Sequence, residues 1–503
     1  MLSRCVAGPL GETEGRQGGG TTAGRLSLNP FLATAYYRQL ILDQVRLTPR
    51  HEFHGKSFIC LSLTRYCSVG CRFCFFKSPR AYRKVVPDDA FGDEGVDRLV
   101  QFIRDADVGY LLISGGGDPL DERRSALRLI SEAMADSIVI VTSGNWARSL
   151  PSARRYLKAM HSSFLARRSP THLTIRLSVD EFHGEALGLA PAHNLLRLFR
   201  EQYRNEPNFC FKIHTLCNDP CIAKFLEEAG LRRAGNVQIA GVGDECRTSV
   251  KISPRQEHYV DDTGFHLSIN YAKLFHSDEN VDLRDRNSVE RNLAIFQKDL
   301  EESENGNSSR VNNLDGSLGL DFWITYDGRV TTWGNQLPDN RFNVYHDRHR
   351  DVVRRSFNDP ASLAFIEWGG AYRDAILGEV NPRAVLLAKA VNIRDFVGDI
   401  LFEDARDRLY FSLRALQDFR RSGHVSDGAM AKWPEELQKL VQLGKKELRR
   451  LYRTSRNDIV RQVLAGAATK EDLQRLRRRI DLGHFSVSKE SCFRLEMALK
   501  NLR

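Results

Sequence analysis

Three cysteines lie close together on one stretch of the chain: Cys67, Cys71 and Cys74, spaced C-x3-C-x2-C directly after the apolar run of residues 58–63. Closely spaced cysteines on one loop can ligate an iron–sulfur cluster. Three thiolates leave one iron of a four-iron cluster without a protein ligand, as in catalytic metal sites that keep a position open. Two plainer interpretations stay open at this point: buried free cysteines, or a structural zinc site for which Cys60 supplies a fourth ligand.

A glycine-rich turn follows the next apolar run, with the sequence Ser-Gly-Gly-Gly-Asp-Pro-Leu at residues 114–120. Glycine lets a backbone approach a ligand closely, and the edge of a strand offers carbonyl groups to a cationic amine. Taken alone, this is a plain turn between a strand and a helix. Its position soon after the cysteine loop makes a shared site the better interpretation.

Two later strand ends carry short polar side chains. Ser143 and Asn145 follow the third apolar run, and Ser178 and Asp180 close the fourth. Each pair by itself is typical of residues that cap the next helix. Active sites of parallel α/β folds collect at the carboxyl ends of the strands, so four successive strand ends point to one site.

This pattern resembles the signature of the radical S-adenosylmethionine (SAM) superfamily: the C-x3-C-x2-C loop with an aromatic residue before its third cysteine, then Gly-Gly-Asp-Pro. By this resemblance, Cys67, Cys71 and Cys74 hold a [4Fe-4S] cluster. The resemblance also assigns a set of residues to cofactor binding: Phe73, Gly116, Gly117, Asp118, Pro119, Ser143, Asn145, Ser178 and Asp180.

The resemblance implies a reaction as well. SAM chelates the fourth iron, and an electron from a donor such as flavodoxin or ferredoxin cleaves it to a 5′-deoxyadenosyl radical that abstracts hydrogen from an organic substrate. The cofactor supplies the difficult chemistry and the protein positions the atoms. A peptide and a small metabolite both remain open as substrates.

Short apolar strands alternate with amphipathic helices across the region that must position these residues. Strands are predicted at residues 58–63, 110–114, 138–142, 173–179, 209–216 and 237–240, with helices at 121–134, 151–161, 194–203 and 221–228. Strands separated by helices predict βαβ units, a parallel sheet and an α/β fold. The resemblance sharpens this to a partial (β/α)6 barrel.

The chain divides into four predicted parts. Residues 1–50 are a disordered, Gly-rich N-terminus with a helical lead-in, and residues 51–260 are the core barrel. Residues 261–384 resemble a SPASM/twitch-like extension, which begins with an Asp327-Gly328 hairpin. Trp333 stands where its first auxiliary cysteine would fall, and no cysteine lies between Cys246 and Cys492, so no auxiliary cluster is expected. Residues 385–503 form a basic helical region.

Three further cysteines follow the later strands: Cys217, Cys221 and Cys246. They are interpreted as buried small hydrophobes, as a hydrogen-atom donor to a substrate radical, or as ligands of a second cluster. Among donors, Cys246 is the candidate, because it lies on a Gly-rich polar loop.

Composition limits the class of protein. The 503 residues carry a net charge of +10, and residues 445–480 alone hold 12 Lys/Arg against 4 Asp/Glu. A rival interpretation is therefore a zinc- or cluster-stabilised protein that binds nucleic acid through basic helices. Such charge is usually the solvated face of a helix, so nucleic acid is not expected as a partner. The sequence shows neither a membrane span nor a secretory signal, and a cytoplasmic location is expected.

Overall fold

The computed structural model describes residues 29–71, 74, 78, 90–216, 219–234, 256–272, 309–332, 337, 342–382, 385, 402 and 404–462. Several predicted features lie outside these residues: the Gly-rich N-terminus up to residue 28, Phe73, Cys217, Cys246, Trp333, the strand predicted at 237–240 and the basic segment beyond residue 462.

The described strands form one sheet. They are β1 (Ser57–Leu61), β2 (Val108–Ile113), β3 (Ala135–Thr142), β4 (His172–Ser178), β5 (Phe209–Leu216), β6 (Arg232–Arg233), β7 (Gln256–Val260), β8 (His266–Ala272), β9 (Arg310–Asn312), β10 (Leu318–Ile324), β11 (Arg329–Thr332) and β12 (Phe342–Asn343). Their order across the sheet is β12-β11-β10-β1-β2-β3-β4-β5-β8-β7-β6, and β9 pairs with β10.

Neighbouring strands from β10 through β1, β2, β3, β4 and β5 to β8 are all parallel. This confirms a mixed α/β fold with a large parallel sheet. The described strands run as an open path between edges at β12 and β6, so the six-stranded partial barrel stays a prediction.

The predicted hairpin is present as β10 and β11. Gly328 lies in the turn with a φ of +81°, the left-handed conformation that the Asp-Gly pair predicts. In addition, β10 runs parallel to β1, with Ile324 opposite Leu61, so the hairpin extends the sheet that carries the cysteine loop.

The described helices are α1 (Thr34–Gln44), α2 (Asp93–Asp105), α3 (Arg123–Glu132), α4 (Leu150–Leu165), α5 (Glu181–Leu187), α6 (Ala190–Leu198), α7 (Pro220–Glu228), α8 (His349–Asn358), α9 (Pro360–Gly378), α10 (Ala405–Arg421), α11 (Asp427–Met430), α12 (Glu435–Gln442) and α13 (Lys445–Gln462). Within the described part of the chain, no helix is both long and apolar enough to cross a membrane.

The buried apolar side chains form two main clusters. The first lies between one face of the parallel sheet and helices α2, α3, α4, α6 and α7. The second packs α1 against helices near the other end of the chain; Tyr410 and Tyr452 both contact the ring of Phe31 there. The first cluster therefore sets the positions of the strand ends, where the predicted site lies.

Candidate functional site at the carboxyl ends of the strands

The cysteine loop is fastened to two neighbouring strand ends through Ser68. The backbone N–H of Ser68 donates to Asp121 Oδ2 at 2.7 Å, and its hydroxyl donates to Asp121 Oδ1 at 2.9 Å. The side-chain amide of Asn145 donates to the same hydroxyl at 2.9 Å. Asp121 follows β2 and Asn145 follows β3, so these hydrogen bonds hold the loop against both strand ends.

The glycine-rich turn lies directly against the chain that leads into the cysteine loop. The N–H of Gly117 donates to the carbonyl of Thr64 at 2.7 Å, and the N–H of Asp118 donates to the carbonyl of Tyr66 at 2.9 Å. A Cβ at Gly117 would lie 1.7 Å from the Tyr66 carbonyl oxygen. Gly116 adopts a φ of +71°, which favours glycine. These two glycines therefore bring two backbones together.

Asp118 connects the end of β2 to the end of β3. Its buried carboxylate accepts hydrogen bonds from the Ser143 N–H at 2.8 Å, from the Ser143 hydroxyl and from the Thr142 hydroxyl at 2.9 Å. It also accepts from the Leu120 N–H at 3.0 Å, which caps the short 3-10 turn that begins at Pro119. Four groups of the protein thus share the two oxygens of this carboxylate.

The end of β4 positions a histidine beside the cysteine loop. Asp180 accepts from the N–H groups of Phe182 and His183 and so begins α5. Its other oxygen lies 2.7 Å from His183 Nδ1. Burial by itself would lower the pKa of His183, but the bonds to Asp180 and to the Cys71 thiol outweigh it and raise this pKa to about 10. His183 therefore links the β4 end to a predicted cluster ligand.

The three thiols are each partly buried at the surface of this site. Cys74 N–H donates to the Cys71 carbonyl at 3.1 Å, which closes a turn between the two cysteines, and Cys74 Sγ lies 3.7 Å from the Ser78 hydroxyl. Burial, with the nearby charges of Asp118 and Asp121, raises the pKa of Cys67 to about 11. Among the described residues, no group of three ligating side chains converges as a single metal ion requires.

Burial, then the charge of Asp118, also raises the pKa of Asp121 to about 6, although the bonds from Ser68 lower it. The same surroundings thus disfavour negative charge on both a thiol and a carboxyl group. A bound cation, or a cluster that carries iron, would reverse this preference.

Most of the predicted residues come together. Ser143 and Ser178 line one small cavity with His183. The carbonyl of Gly116, a predicted SAM contact, accepts a hydrogen bond from the Ser78 hydroxyl. Cys221 is the second residue of α7 and lies against Gly184 of α5, where a Cβ would be 2.6 Å from the Cys221 sulfur. Burial raises the pKa of Cys221.

Sequence reasoning missed His183, Thr142 and Asp121. A signal for His183 was present, because Asp180 and His183 are three residues apart, and such residues meet on one face of a helix. Thr142 and Asp121 act by contacts across strands, for which a local pattern gives no signal.

Comparisons with known proteins add little to this geometry. No protein-family model matches the sequence, and no curated protein matches it. A solved structure described as native anSMEcpe with bound AdoMet superposes with a TM-score of 0.35 at 12% identity, covering 79% of this chain and 99% of that one. A TM-score this low assigns neither fold nor function, so the functional argument rests on the residues themselves.

Proposed function

We propose that this protein is a radical SAM enzyme, with Cys67, Cys71 and Cys74 as the ligands of a [4Fe-4S] cluster. The observation that carries the proposal is the hydrogen-bond network among four strand ends. Residues predicted from separate motifs, among them Asp118 and Asp180, meet around the one loop that bears three thiols.

The residues present fit such a group. Three partly buried thiols on one short loop are the donor set that an iron–sulfur cluster takes. When bound, the cluster would supply the electron that cleaves SAM.

The protein's own residues would position and tune this centre. Asp118 would hold the β2 and β3 ends in register, because its carboxylate accepts from groups of both. His183 would donate a hydrogen bond to the sulfur of Cys71, and Asp180 would orient its ring. Hydrogen bonds to ligating sulfurs are one way in which proteins set cluster potentials.

Contacts of SAM with Gly116, Ser143, Asn145 and Ser178 remain part of the proposal, as does an electron donor such as flavodoxin or ferredoxin. Ser178 and Ser143 support it through the cavity that they share with His183. The substrate is an organic molecule, either a peptide or a small metabolite.

The test is anaerobic reconstitution followed by iron analysis and a SAM cleavage assay. About four irons per chain are expected, with release of 5′-deoxyadenosine after reduction. Cys71→Ala should abolish the release, whereas the control Cys210→Ala, on the far half of β5, should retain it. Stoichiometric zinc, or undiminished cleavage by Cys71→Ala, would refute the proposal.

A further inference from the structure

A cavity of about 980 Å³ lies between α1, α8 and α10, beside the edge strand β12. Its described lining shares no residue with the candidate site at the carboxyl ends of the strands. Sites that bind small molecules occupy about 300–1,000 Å³. This cavity is therefore large enough to hold a whole small molecule, and nothing in the proposed function uses it.

Arginine dominates the described lining of this cavity. Five arginines, from three helices and the turn that follows α1, contribute to it: Arg38, Arg46, Arg354, Arg355 and Arg408. Asp43 is the one carboxylate among the described lining residues. A concave surface lined by charges of one sign raises the local concentration of the opposite ion, so this cavity favours an anion.

Hydrogen bonds between the surrounding elements hold the cavity in shape. Arg38 of α1 is buried, and it donates to both oxygens of Asp359 at 2.6 Å and to the hydroxyl of Ser412, on α10, at 3.1 Å. The N–H of Leu47 donates to the side-chain oxygen of Asn358, at the end of α8, at 3.3 Å. The walls are thus fastened to one another, and a site that is already formed binds a ligand at a low cost in ordering.

The two arginines of α8 keep donors for a ligand although each has a carboxylate partner. Arg354 pairs with Asp351 at 3.1 Å, and Arg355 pairs with Asp347. A guanidinium has five N–H donors, of which one carboxylate occupies only some. The side chain of Arg354 is 71% exposed, and ion pairs at such exposure contribute little to stability. The Arg355 guanidinium lies 4.9 Å from the centre of the Phe342 ring, which holds it at the wall formed by β12.

Arg46 adds a positive charge on the opposite wall. Its guanidinium donates to the carbonyl of Val45 at 2.6 Å, and a carbonyl group does not neutralise the charge of its donor. Asp43, the carboxylate of the lining, accepts from the side-chain amide of Gln39 at 2.8 Å. A guanidinium binds carboxylate and phosphate groups through two parallel hydrogen bonds. Several guanidinium groups around one cavity therefore suit a ligand that carries more than one negative charge.

We propose that this cavity binds a small molecule with at least two negative charges, carried by phosphate or carboxylate groups, and that Arg46, Arg354 and Arg355 donate hydrogen bonds to it. The site is separate from the cysteine loop and from the strand ends around it. The proposal goes beyond the proposed function and does not depend on it.

The experiment titrates the full chain with pyrophosphate and, separately, with citrate, by calorimetry at constant ionic strength. Wild-type protein should bind at least one of these anions saturably, at one site per chain. Binding of pyrophosphate alone would identify a phosphate-bearing ligand, binding of citrate alone a carboxylate-bearing ligand, and binding of both a site that accepts either group. Binding of neither anion would overturn the proposal.

Arg46→Gln removes an exposed charge of the lining and should weaken the binding at least about tenfold. Arg354→Gln should act in the same way and provides a second variant should Arg46→Gln fail to fold. Arg350→Gln is the matched control, because Arg350 is an exposed arginine of α8 outside the described lining, and this variant should bind as wild type does.

Two outcomes with the variants would overturn the proposal. One is wild-type affinity in both Arg46→Gln and Arg354→Gln. The other is an equal loss of affinity in Arg350→Gln, which would show that the general positive charge of the protein, and not the cavity, holds the anion. The measurement needs neither cluster nor SAM, so its result is independent of the test of the proposed function.

Discussion

Substitution of Gly117 by alanine tests the closest backbone contact of the site. The new Cβ would lie 1.7 Å from the Tyr66 carbonyl oxygen. Non-bonded atoms of this kind need about 3.4 Å, so the turn and the chain before the cysteine loop must separate by roughly 1.7 Å. The hydrogen bonds of 2.7 Å to Thr64 and 2.9 Å to Tyr66 would then exceed the range in which they stabilise.

The expected cost follows from those two bonds. The loss of each bond leaves a buried donor or acceptor without its partner, which costs about 1–2 kcal/mol. Gly117→Ala should therefore lower the free energy of unfolding by about 2–4 kcal/mol. Thermal unfolding of the metal-free protein, followed by circular dichroism, would show a midpoint several degrees lower. Iron bound after reconstitution should also fall, because the displaced chain leads into Cys67.

Gly378→Ala is the matched control. Nothing lies within 4 Å of a Cβ built at Gly378, which is the last residue of α9. Alanine there should leave stability unchanged or raise it by up to about 1 kcal/mol. Equal unfolding midpoints and equal iron content for Gly117→Ala and wild type would refute the close approach of the two segments.

Three further substitutions test the network around the loop. Asp118→Ala should lower the free energy of unfolding, measured by chemical denaturation, by about 3 kcal/mol, because four donors lose a shared acceptor. An unchanged denaturation midpoint would contradict the role of Asp118 in connecting the ends of β2 and β3. In the metal-free protein, His183 has a folded pKa of about 10, above its unfolded value of 6.5, so its stabilisation is complete below 6.5 and is lost as pH rises through 10. His183→Gln should therefore lower the free energy of unfolding at pH 7 by about 3 kcal/mol, and the variant should not lose stability as pH rises towards 10. Profiles of stability against pH that run parallel in variant and wild type would contradict the pairing of His183 with Asp180. The folded pKa of Asp121 is about 6 against 3.8 unfolded, so its contribution is complete below 3.8 and is lost as pH rises through 6. Asp121→Asn should reduce the fall in the free energy of unfolding between pH 4 and 7 by about 1 kcal/mol. If the variant showed the same fall as wild type, Asp121 would not be its source.

Local pattern predicted the strands that carry the site. Residues 209–216 were predicted as a strand, and β5 spans Phe209–Leu216. The reason is physical: Phe209, Phe211 and Ile213 recur at every second position, which is the period of a strand with one face in an apolar core. In β8, polar side chains alternate with Leu267 and Ile269. The place of β8 beside β5 comes from pairing between residues far apart in the chain, such as Lys212 and Ser268.

Long-range packing explains which contacts of α1 the sequence did not predict. The lead-in helix α1 was expected from its apolar spacing, but its partners were not. Both terminal guanidinium nitrogens of Arg38, on α1, donate to the Asp359 carboxylate at 2.6 Å, and Tyr37 and Ile41 join the cluster formed by the later helices. The sequence near α1 predicts neither contact, because each depends on residues more than 300 positions away.

The role of Asp118 in the structure differs from the role that its motif suggests. The Gly-Gly-Asp-Pro resemblance assigns Asp118 to cofactor binding, yet protein donors from the β2 and β3 ends already engage both of its oxygens. A ligand would have to displace Ser143 or Thr142 to reach this buried carboxylate. We therefore propose that Asp118 is a positioning residue, which fixes Ser143 and the loop around Asn145 at the edge where SAM is expected to bind. Asp118→Asn separates the two roles: loss of one acceptor should lower stability in the absence of SAM, whereas a residue that contacts only the ligand would change SAM affinity and leave the ligand-free protein as stable as wild type.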